Sequence, residues 1–355
     1  MTSIHSGPTY ALLAALLFGA STPFAKLLVG RMEPLVLAGL FYLGSGIGLG
    51  AWLFMRSAIF RKTDIAGFTR TDLPWLAGAI LAGGIIGPIL LMTGLRMTPA
   101  STASLLLNLE GVFTALLAWF VFREQFDRRI LIGMILIVLA GILLSSDQQV
   151  SGGEGSPVPW GALCITAACL CWALDNNLTR KVAASDAVQI AALKGMAAGL
   201  VNLAIAWRLD LPFPATSSII AAGIVGFCGY GLSLVLFVLA LRQLGSARTG
   251  AYFSVAPFAG AALSIMMLDD RPGLLFFVAA MLMCIGIWLH LTERHSHRHR
   301  HTPMAHAHTH THDMHHRHAH GFDWDGKEPH SHPHQHEALE HEHPHFPDIH
   351  HRHRH

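Results

Sequence analysis

The amino-acid sequence predicts an all-α polytopic membrane protein, with ten transmembrane helices in two inverted five-helix repeats, followed by a disordered histidine-rich tail. Composition, ten long apolar stretches and an internal repeat predict this class. Hydrophobic residues make up 52% of the chain and charged residues only 13%, whereas a soluble domain carries about 25% charged residues. Within lipid at this apolarity only helices satisfy the backbone.

Ten stretches have the length of about 20 apolar residues that crosses a hydrocarbon core. The predicted spans are 9–29, 34–55, 73–95, 98–121, 127–146, 158–179, 185–207, 216–240, 246–268 and 272–291. The first ten residues carry no Lys or Arg, so no cleaved signal peptide is expected. All five cysteines fall inside predicted spans, which argues against a disulfide framework.

The distribution of Lys and Arg predicts the orientation. If the N-terminus is cytoplasmic, the cytoplasmic connections hold eleven of these residues and the outer connections hold five. Positive charges favour the cytoplasmic side. With an even number of spans, both termini are therefore expected in the cytoplasm, and the protein is expected in a bacterial inner membrane.

The two halves of the chain resemble each other. The segment 95–126 aligns with 241–272 at an offset of 146, and the same offset places Gly83 on Gly229. Five spans per half give the second half the opposite direction in the membrane, a pattern typical of secondary transporters. The expected organisation is a first repeat (1–146), a linker (147–157), a second repeat (158–292) and the tail (293–355).

The aligned motifs resemble the drug/metabolite transporter superfamily, EamA type. The residues that carry the resemblance are Phe18-Gly19-Ala20 with Lys26, the segment 107–126 and the segment 254–270. Gly111 stands where this family commonly has proline, and Asp270 where it commonly has glutamate. The resemblance implies the ten-helix fold and export of amino acids, metabolites or drugs, but fold alone does not determine the substrate.

Three charged residues fall inside predicted spans, where charge is costly and usually has a function. Glu110 is expected either to pack or gate the helices, or to handle substrate or a proton. Asp175 is a candidate pathway residue. Lys194 would neutralise one of these acids or meet the carboxylate of an organic substrate. The neighbouring amides Asn108, Asn176 and Asn177 complete the predicted transport pathway.

The sixth predicted span also has a stripe of thiols. Cys164, Ala168, Cys171 and Asp175 share one helical face, which either offers ligands to a transition metal or consists of small residues tolerated in a membrane helix. Lys26 and Arg180 are expected to be span-end anchors. Glycine and proline mark four expected helix breaks: Thr22-Pro23, 83–88, 226–231 and Pro257.

The tail is dominated by histidine. The chain has 25 histidines, of which only His5 and His290 precede residue 295, leaving 23 in the tail, mostly as His-x-His. Its composition predicts disorder and binding of a divalent transition metal; a pH sensor is the alternative. The predicted metal-binding residues are His306, His308, His310, His312, His315, His316, His318, His320, His330, His332, His334 and His336.

These observations predict a secondary transporter that exports a divalent metal collected by the tail, with proton coupling. Nickel or cobalt is favoured over zinc or copper because the tail resembles those of bacterial nickel and cobalt resistance permeases. The alternative is an EamA-type exporter of amino acids or small metabolites whose tail only buffers or senses metal. The expected partners are a metal ion or small molecule and the lipid bilayer. No enzymatic activity, required cofactor or nucleic-acid partner is expected, and a homodimer is left open.

Overall fold

The computed structural model describes residues 6–59, 72–122, 128–146, 159–179, 186–244 and 246–291, together with the backbone of four strands between 296 and 344. The α-helices are α1 (Ser6–Val29), α2 (Pro34–Ile59), α3 (Leu73–Ala79), α4 (Gly87–Met97), α5 (Ala100–Leu106), α6 (Leu109–Phe122), α7 (Arg128–Ser145), α8 (Trp160–Thr179), α9 (Ala187–Arg208), α10 (Thr216–Gly226), α11 (Ser233–Leu244), α12 (Ser246–Phe253), α13 (Ala256–Leu268) and α14 (Leu274–Leu291). Two π-helical segments, π1 (Ile80–Ile86) and π2 (Phe227–Leu232), join α3 to α4 and α10 to α11.

Among the described residues, eight helical stretches are long and apolar enough to cross a membrane, and they correspond to the first eight predicted spans. The last two predicted spans contain the shorter apolar helices Ala256–Leu268 and Leu274–Leu289. Many large apolar side chains point outward, among them Phe54, Phe120 and Trp207. A helical multi-pass membrane protein is therefore confirmed, and eight of the ten predicted spans contain a helix of full crossing length within the described residues.

Helix contacts between the two halves occur in matching pairs. Helix α2 packs along α9, and α7 packs along α14. The contact of α1 with α11 is matched by that of α8 with α4, and the contact of α1 with α13 by that of α8 with α6. Each contact therefore has its counterpart at the repeat-related position, which is the arrangement expected when two similar halves face each other.

Helices α2 and α9 approach closely because glycines line both of them. A Cβ atom on Gly46 would lie 2.8 Å from the backbone carbon of Gly195, and one on Gly195 would lie 2.9 Å from the carbonyl oxygen of Tyr42. In lipid the hydrophobic effect does not drive helices together, so their association depends on van der Waals contact. Small residues allow the close approach that this contact needs. This glycine contact is one of several that join the two halves of the bundle.

Two of the predicted helix breaks are π-helical segments. The glycines at 83–88 and 226–231 fall in or beside π1 and π2, at the positions that the offset of 146 relates. The break predicted at Thr22-Pro23 is wrong, because α1 continues through Pro23. Proline removes a single backbone donor there, and neighbouring helices allow a membrane helix to tolerate that loss.

The tail unit, residues 293–355, is described separately from the membrane unit. Strand β1 (Ser296–His301) pairs with β4 (Leu339–Pro344), and β2 (Met304–His310) pairs with β3 (His330–His336), both antiparallel. The disorder predicted from the composition of this segment stays a prediction, and what the structure describes is the backbone pairing of these four strands. The predicted metal-binding residues between 312 and 320 lie outside the described residues.

The glycine contact predicts a clear stability difference between two alanine substitutions in α2. Gly46→Ala should lower the free energy of unfolding by about 1–3 kcal/mol, because the new methyl group forces α2 and α9 apart. Gly50→Ala is the matched control, since a Cβ there would have nothing within 4 Å. Thermal unfolding of the purified protein in detergent measures both. Equal transition temperatures would contradict the close-packing role of Gly46.

Candidate transport site

Two membrane spans are broken at repeat-related positions. Helix α5 ends at Leu106 and α6 begins at Leu109, while α12 ends at Phe253 and α13 begins at Ala256. The offset of 146 places the first break, 107–108, on 253–254, within one residue of the second. Each break is a single tight turn whose amides still donate to carbonyl oxygens three or four residues earlier, as Asn108 N does to Leu105 O at 3.0 Å and Ser254 N to Gly250 O at 2.9 Å. The break before Pro257 agrees with the prediction, whereas the break at 107–108 was not predicted.

A cavity of about 250 Å³ lies between the two breaks. Residues of both broken spans line it, with Phe18, Ile137 and Ile287 completing the wall. The polar side chains on this wall are Asn108 and Glu110 from the first half and Ser254 from the second; the remaining lining is apolar or glycine. The cavity is therefore polar mainly on one side.

Glu110 occupies the first turn of α6 and is half-buried. Its Oε1 atom accepts a hydrogen bond of 2.8 Å from Nδ2 of Asn176 on α8. The carboxyl group is thus fixed at the cavity wall, and its position is linked to that of α8.

Asp175, the residue before Asn176, faces a different part of the bundle. It is 7% exposed and forms an ion pair with Lys194 of α9. The Thr179 hydroxyl donates a hydrogen bond of 2.9 Å to the same carboxylate oxygen, and Lys194 also donates to that hydroxyl over 3.3 Å. Lys194 therefore neutralises Asp175 rather than Glu110.

Segment π1 makes room for this ion pair. A Cβ atom on Gly83 would collide with the Asp175 side chain, so only glycine fits there. The Gly83 carbonyl oxygen accepts hydrogen bonds from Tyr42 Oη at 2.6 Å and Trp172 Nε1 at 3.0 Å. The next carbonyl oxygen, of Gly84, accepts one from Asn202 Nδ2 at 3.1 Å. Side chains from three helices thus bond to the π-helical backbone beside Asp175.

The repeat-related contact, between π2 of the second half and α1 of the first half, carries no charge. A Cβ atom on Gly229 of π2 would lie 2.6 Å from Cβ of Ser21 on α1. At a separate offset of 154, residues 18–26 align with 172–180, which places Ser21 on Asp175, as the offset of 146 places Gly83 on Gly229. The same helix crossing therefore holds a serine in one half and a buried carboxylate in the other.

The other predicted pathway residues are separated by the structure. Asn108 lines the cavity but donates its amide hydrogens to Leu105 O at 3.0 Å and Met283 Sδ at 3.6 Å. Asn177 donates to the Ala173 carbonyl oxygen one turn earlier in its own helix, at 2.8 Å, and to the Thr114 carbonyl oxygen of α6, at 3.4 Å. The predicted residues thus divide into a cavity group around Glu110, an ion pair around Asp175, and Asn177, which bonds to the backbone of α8 and α6.

The cavity residues of the second half were missed by the sequence analysis. Phe253, Ser254 and Ala256 are neither charged nor amides, so a search for intramembrane polar groups passes over them. The internal repeat carries the signal that could have found them, because Ser254 is the equivalent of Asn108. Adding the offset of 146 to each candidate residue of the first half would have located this wall of the cavity.

The thiol stripe does not form a metal site. In the part of the chain whose side chains the structure describes, no group of three or more His, Cys, Asp or Glu residues could hold a metal ion. Cys169, between the stripe residues, is buried and donates to the Leu106 carbonyl oxygen at 3.6 Å. The side chains of the predicted tail ligands lie outside that part.

One end of the bundle is tied together by two side chains. Lys26 Nζ donates to the carbonyl oxygens of Leu95 and Thr98 at 2.6 and 2.8 Å, which satisfies the end of α4. Asp270 Oδ2 accepts a hydrogen bond of 2.9 Å from the Ser101 amide at the start of α5. Lys26 was predicted to be an anchor, and the structure makes it a cap that joins α1 to α4.

A bundle of helices long and apolar enough to cross a membrane defines a multi-pass membrane protein. The sequence profile of the EamA-like transporter family matches residues 5–146 and matches again over 159–292. The chain belongs to the EamA-like transporter family.

Its relatives include an "Uncharacterized transporter" of Methanothermobacter thermautotrophicus, 28% identical over 289 residues, which cover 78% of this chain and 83% of that protein. The "Uncharacterized inner membrane transporter YedA" of Escherichia coli K12 is 27% identical over 70% of this chain and 78% of its own. A "Probable amino-acid metabolite efflux pump" of Salmonella typhimurium is 28% identical over 176 residues, 48% of this chain and 52% of that protein. A solved crystal structure with 17% identity covers 79% of this chain and 95% of its own, with a TM-score of 0.59, and shows the fold alone.

The buried ion pair predicts a large effect from removing one partner. The Lys194 and Asp175 side chains are 16% and 9% exposed, so Lys194→Met leaves an unpaired buried carboxylate and should lower the free energy of unfolding by about 3–5 kcal/mol. The double variant Asp175→Asn/Lys194→Met should recover most of this loss. Thermal or denaturant unfolding in detergent measures both variants.

The exposed pair of Arg96 and Glu33, with side chains 50% and 36% exposed, provides the control. Arg96→Met should change stability by no more than about 1 kcal/mol, because water screens that pair. A Lys194→Met effect as small as this would show that the Asp175 pair is not a buried one.

Proposed function

We propose that the protein exports a small organic solute of the amino-acid or related metabolite class through the cavity between its two broken spans. The observation that carries this proposal is the cavity itself. At about 250 Å³ it exceeds the cavity of about 150 Å³ that binds benzene. One wall is polar and the rest is largely apolar, which suits a solute with both kinds of group. The Salmonella relative named for amino-acid metabolite efflux supports this substrate class.

Metal export, the leading prediction from the sequence, has weaker support. Structural and catalytic metal sites use three or four protein ligands close together, and the described cavity wall offers one carboxylate and one amide as candidate ligands. None of the relatives named above carries a metal in its name. The cavity chemistry therefore favours an organic solute.

The two acids have different tasks in the proposed mechanism. Glu110 faces the solute, and a polar group of the solute would compete with Asn176 for its carboxylate. Because Asn176 and Asp175 are adjacent on α8, a shift of this helix at the cavity also acts on the Asp175–Lys194 pair. In this way occupancy of the cavity is linked to the contact between α8 and α9. Asp175 and Lys194 are positioning residues in this mechanism.

The direction of transport follows from the orientation predicted by Lys and Arg. The end of the bundle tied by Lys26 and Asp270 then faces outward, and Asp270 lies about 20 Å along the span from Pro257 at the cavity. We infer that these contacts hold the outer end closed and that the solute enters the cavity from the cytoplasm. Proton uptake by Glu110 from the outside would then drive release by alternating access.

Uptake into inside-out vesicles tests the substrate class. Vesicles containing the protein should accumulate at least one amino acid or small metabolite above vesicles without it, and an acidic interior should increase the accumulation. Ni²⁺ and Co²⁺ belong in the same panel. Accumulation of a metal with no organic solute would overturn the proposal in favour of metal export, and insensitivity to the pH gradient would refute proton coupling.

Glu110→Gln should reduce export by about tenfold or more, because the side chain keeps its size but loses the charge at the cavity wall. The matched control is Glu33→Gln, the same exchange at the exposed carboxylate that pairs with Arg96, which should export normally. Initial rates in the vesicle assay, corrected for the amount of protein inserted, measure both. Normal export by Glu110→Gln would remove this residue from the mechanism.

A further inference from the structure

The strand pairs of the tail place histidine opposite histidine. In the β2–β3 pair, His306 lies opposite His334, His308 opposite His332, and His310 opposite His330. The β1–β4 pair repeats the pattern with His297 opposite His343 and His299 opposite His341. The composition alone does not require this, because a shift of one residue in register would place each of these histidines opposite another residue type.

This register gathers the histidines on one face of each pair. Residues i and i+2 of a strand share a face, about 6.5–7 Å apart, and directly opposite residues of antiparallel strands have Cβ atoms about 4.5–5.5 Å apart. The six paired histidines of β2–β3, together with His336 opposite Met304, therefore share one face in two rows. The alternate positions of β2, Ala305, Ala307 and Thr309, belong to the other face.

We propose that the β2–β3 pair binds a divalent transition-metal ion through imidazoles contributed by both strands. Two neighbouring cross-strand pairs, His306 with His334 and His308 with His332, place four histidines at adjacent register positions of one face. Imidazole is a ligand suited to nickel, copper, zinc and cobalt. Because of this register, the proposed site depends on the pairing of both strands and not on histidine content alone.

Metal binding would also stabilise the strand pair itself. An isolated two-stranded pair is only marginally stable in water, and β3 contains Pro333, which has no backbone N–H to donate. A ligand that binds only the paired strands shifts the equilibrium toward pairing. The metal therefore contributes folding free energy to the tail, as in other small metal-dependent units.

The binding must depend on pH in a defined direction. A metal ion binds the neutral imidazole, whose ordinary pKa is about 6.5, so protonation competes with the metal below that pH. Affinity should be highest near neutral pH and fall in mildly acidic solution. This inference is independent of the transported solute, because it concerns the tail unit alone.

Metal titration of the full-length protein in detergent, purified without an added histidine tag, tests the proposal. Ni²⁺ and Zn²⁺ are the probes, and calorimetry or equilibrium dialysis at about pH 7.5 and about pH 5.5 gives the affinities. The wild-type protein should show a tight site that weakens at the lower pH. Absence of binding for both metals would overturn the proposal.

A register variant distinguishes a paired site from mere histidine content. Ser331→His/His332→Ser/Pro333→His/His334→Pro keeps the composition and the His-x-His spacing but moves two histidines to the other face of β3. The tight site should weaken by about tenfold or more, since even the loss of a residue that only supports a metal ligand costs 10–100-fold in affinity. Unchanged affinity would show that pairing with β2 is irrelevant and would overturn the proposal.

The matched control exchanges neighbouring residues in the segment between β2 and β3. Thr311→His/His312→Thr/His318→Ala/Ala319→His also keeps the composition and makes four substitutions, but leaves the paired positions intact. Its tight site should equal that of the wild type. An equal loss in both variants would mean that the metal is not held by the β2–β3 register, which contradicts the proposal.

Discussion

The constraint on which the structure depends is that a helix within a bilayer must satisfy its own backbone hydrogen bonds. The described membrane unit departs from α-helical bonding in four notable places, and they form two repeat-related pairs. At π1, the carbonyl oxygens of Gly83 and Gly84 accept hydrogen bonds from Tyr42, Trp172 and Asn202. The breaks at 107–108 and 254–255 both line the cavity. Polar side chains therefore lie beside the segments whose backbone is not α-helical, and the candidate site is built at those segments.

The two halves share their packing but not their chemistry. At equivalent positions the first half has Glu110 where the second has Ala256, and the second half has Asp175 where the first has Ser21. Both acids are joined to α8, one through Asn176 and the other directly. The cavity therefore has one charged wall and one largely apolar wall. A solute with one polar and one apolar end would bind in a single orientation. A cavity with two equivalent walls would not favour one orientation over the other.

Much of the fold and part of the site could be predicted from the sequence. Apolar length located the spans, and glycine-rich segments at 83–88 and 226–231 located the π-helical segments. The cost of burying charge identified Glu110, Asp175 and Lys194. The division of these residues into a cavity group and an ion pair could not be predicted, because neighbours such as Asp175 and Asn176 point about 100° apart on a helix. Which helix lies on each side is a matter of packing.

The sequence by itself determined the multi-pass helical class, the internal repeat and the identity of the intramembrane charges, since these depend on length, periodicity and the cost of burial. Tertiary structure alone decided that Lys194 neutralises Asp175, that Asn176 holds Glu110, and that Phe253 and Ser254 complete the cavity. It also decided the register that sets histidine opposite histidine in the tail. Such pairings join residues far apart in the chain, and only the packing of helices and strands brings them within bonding distance.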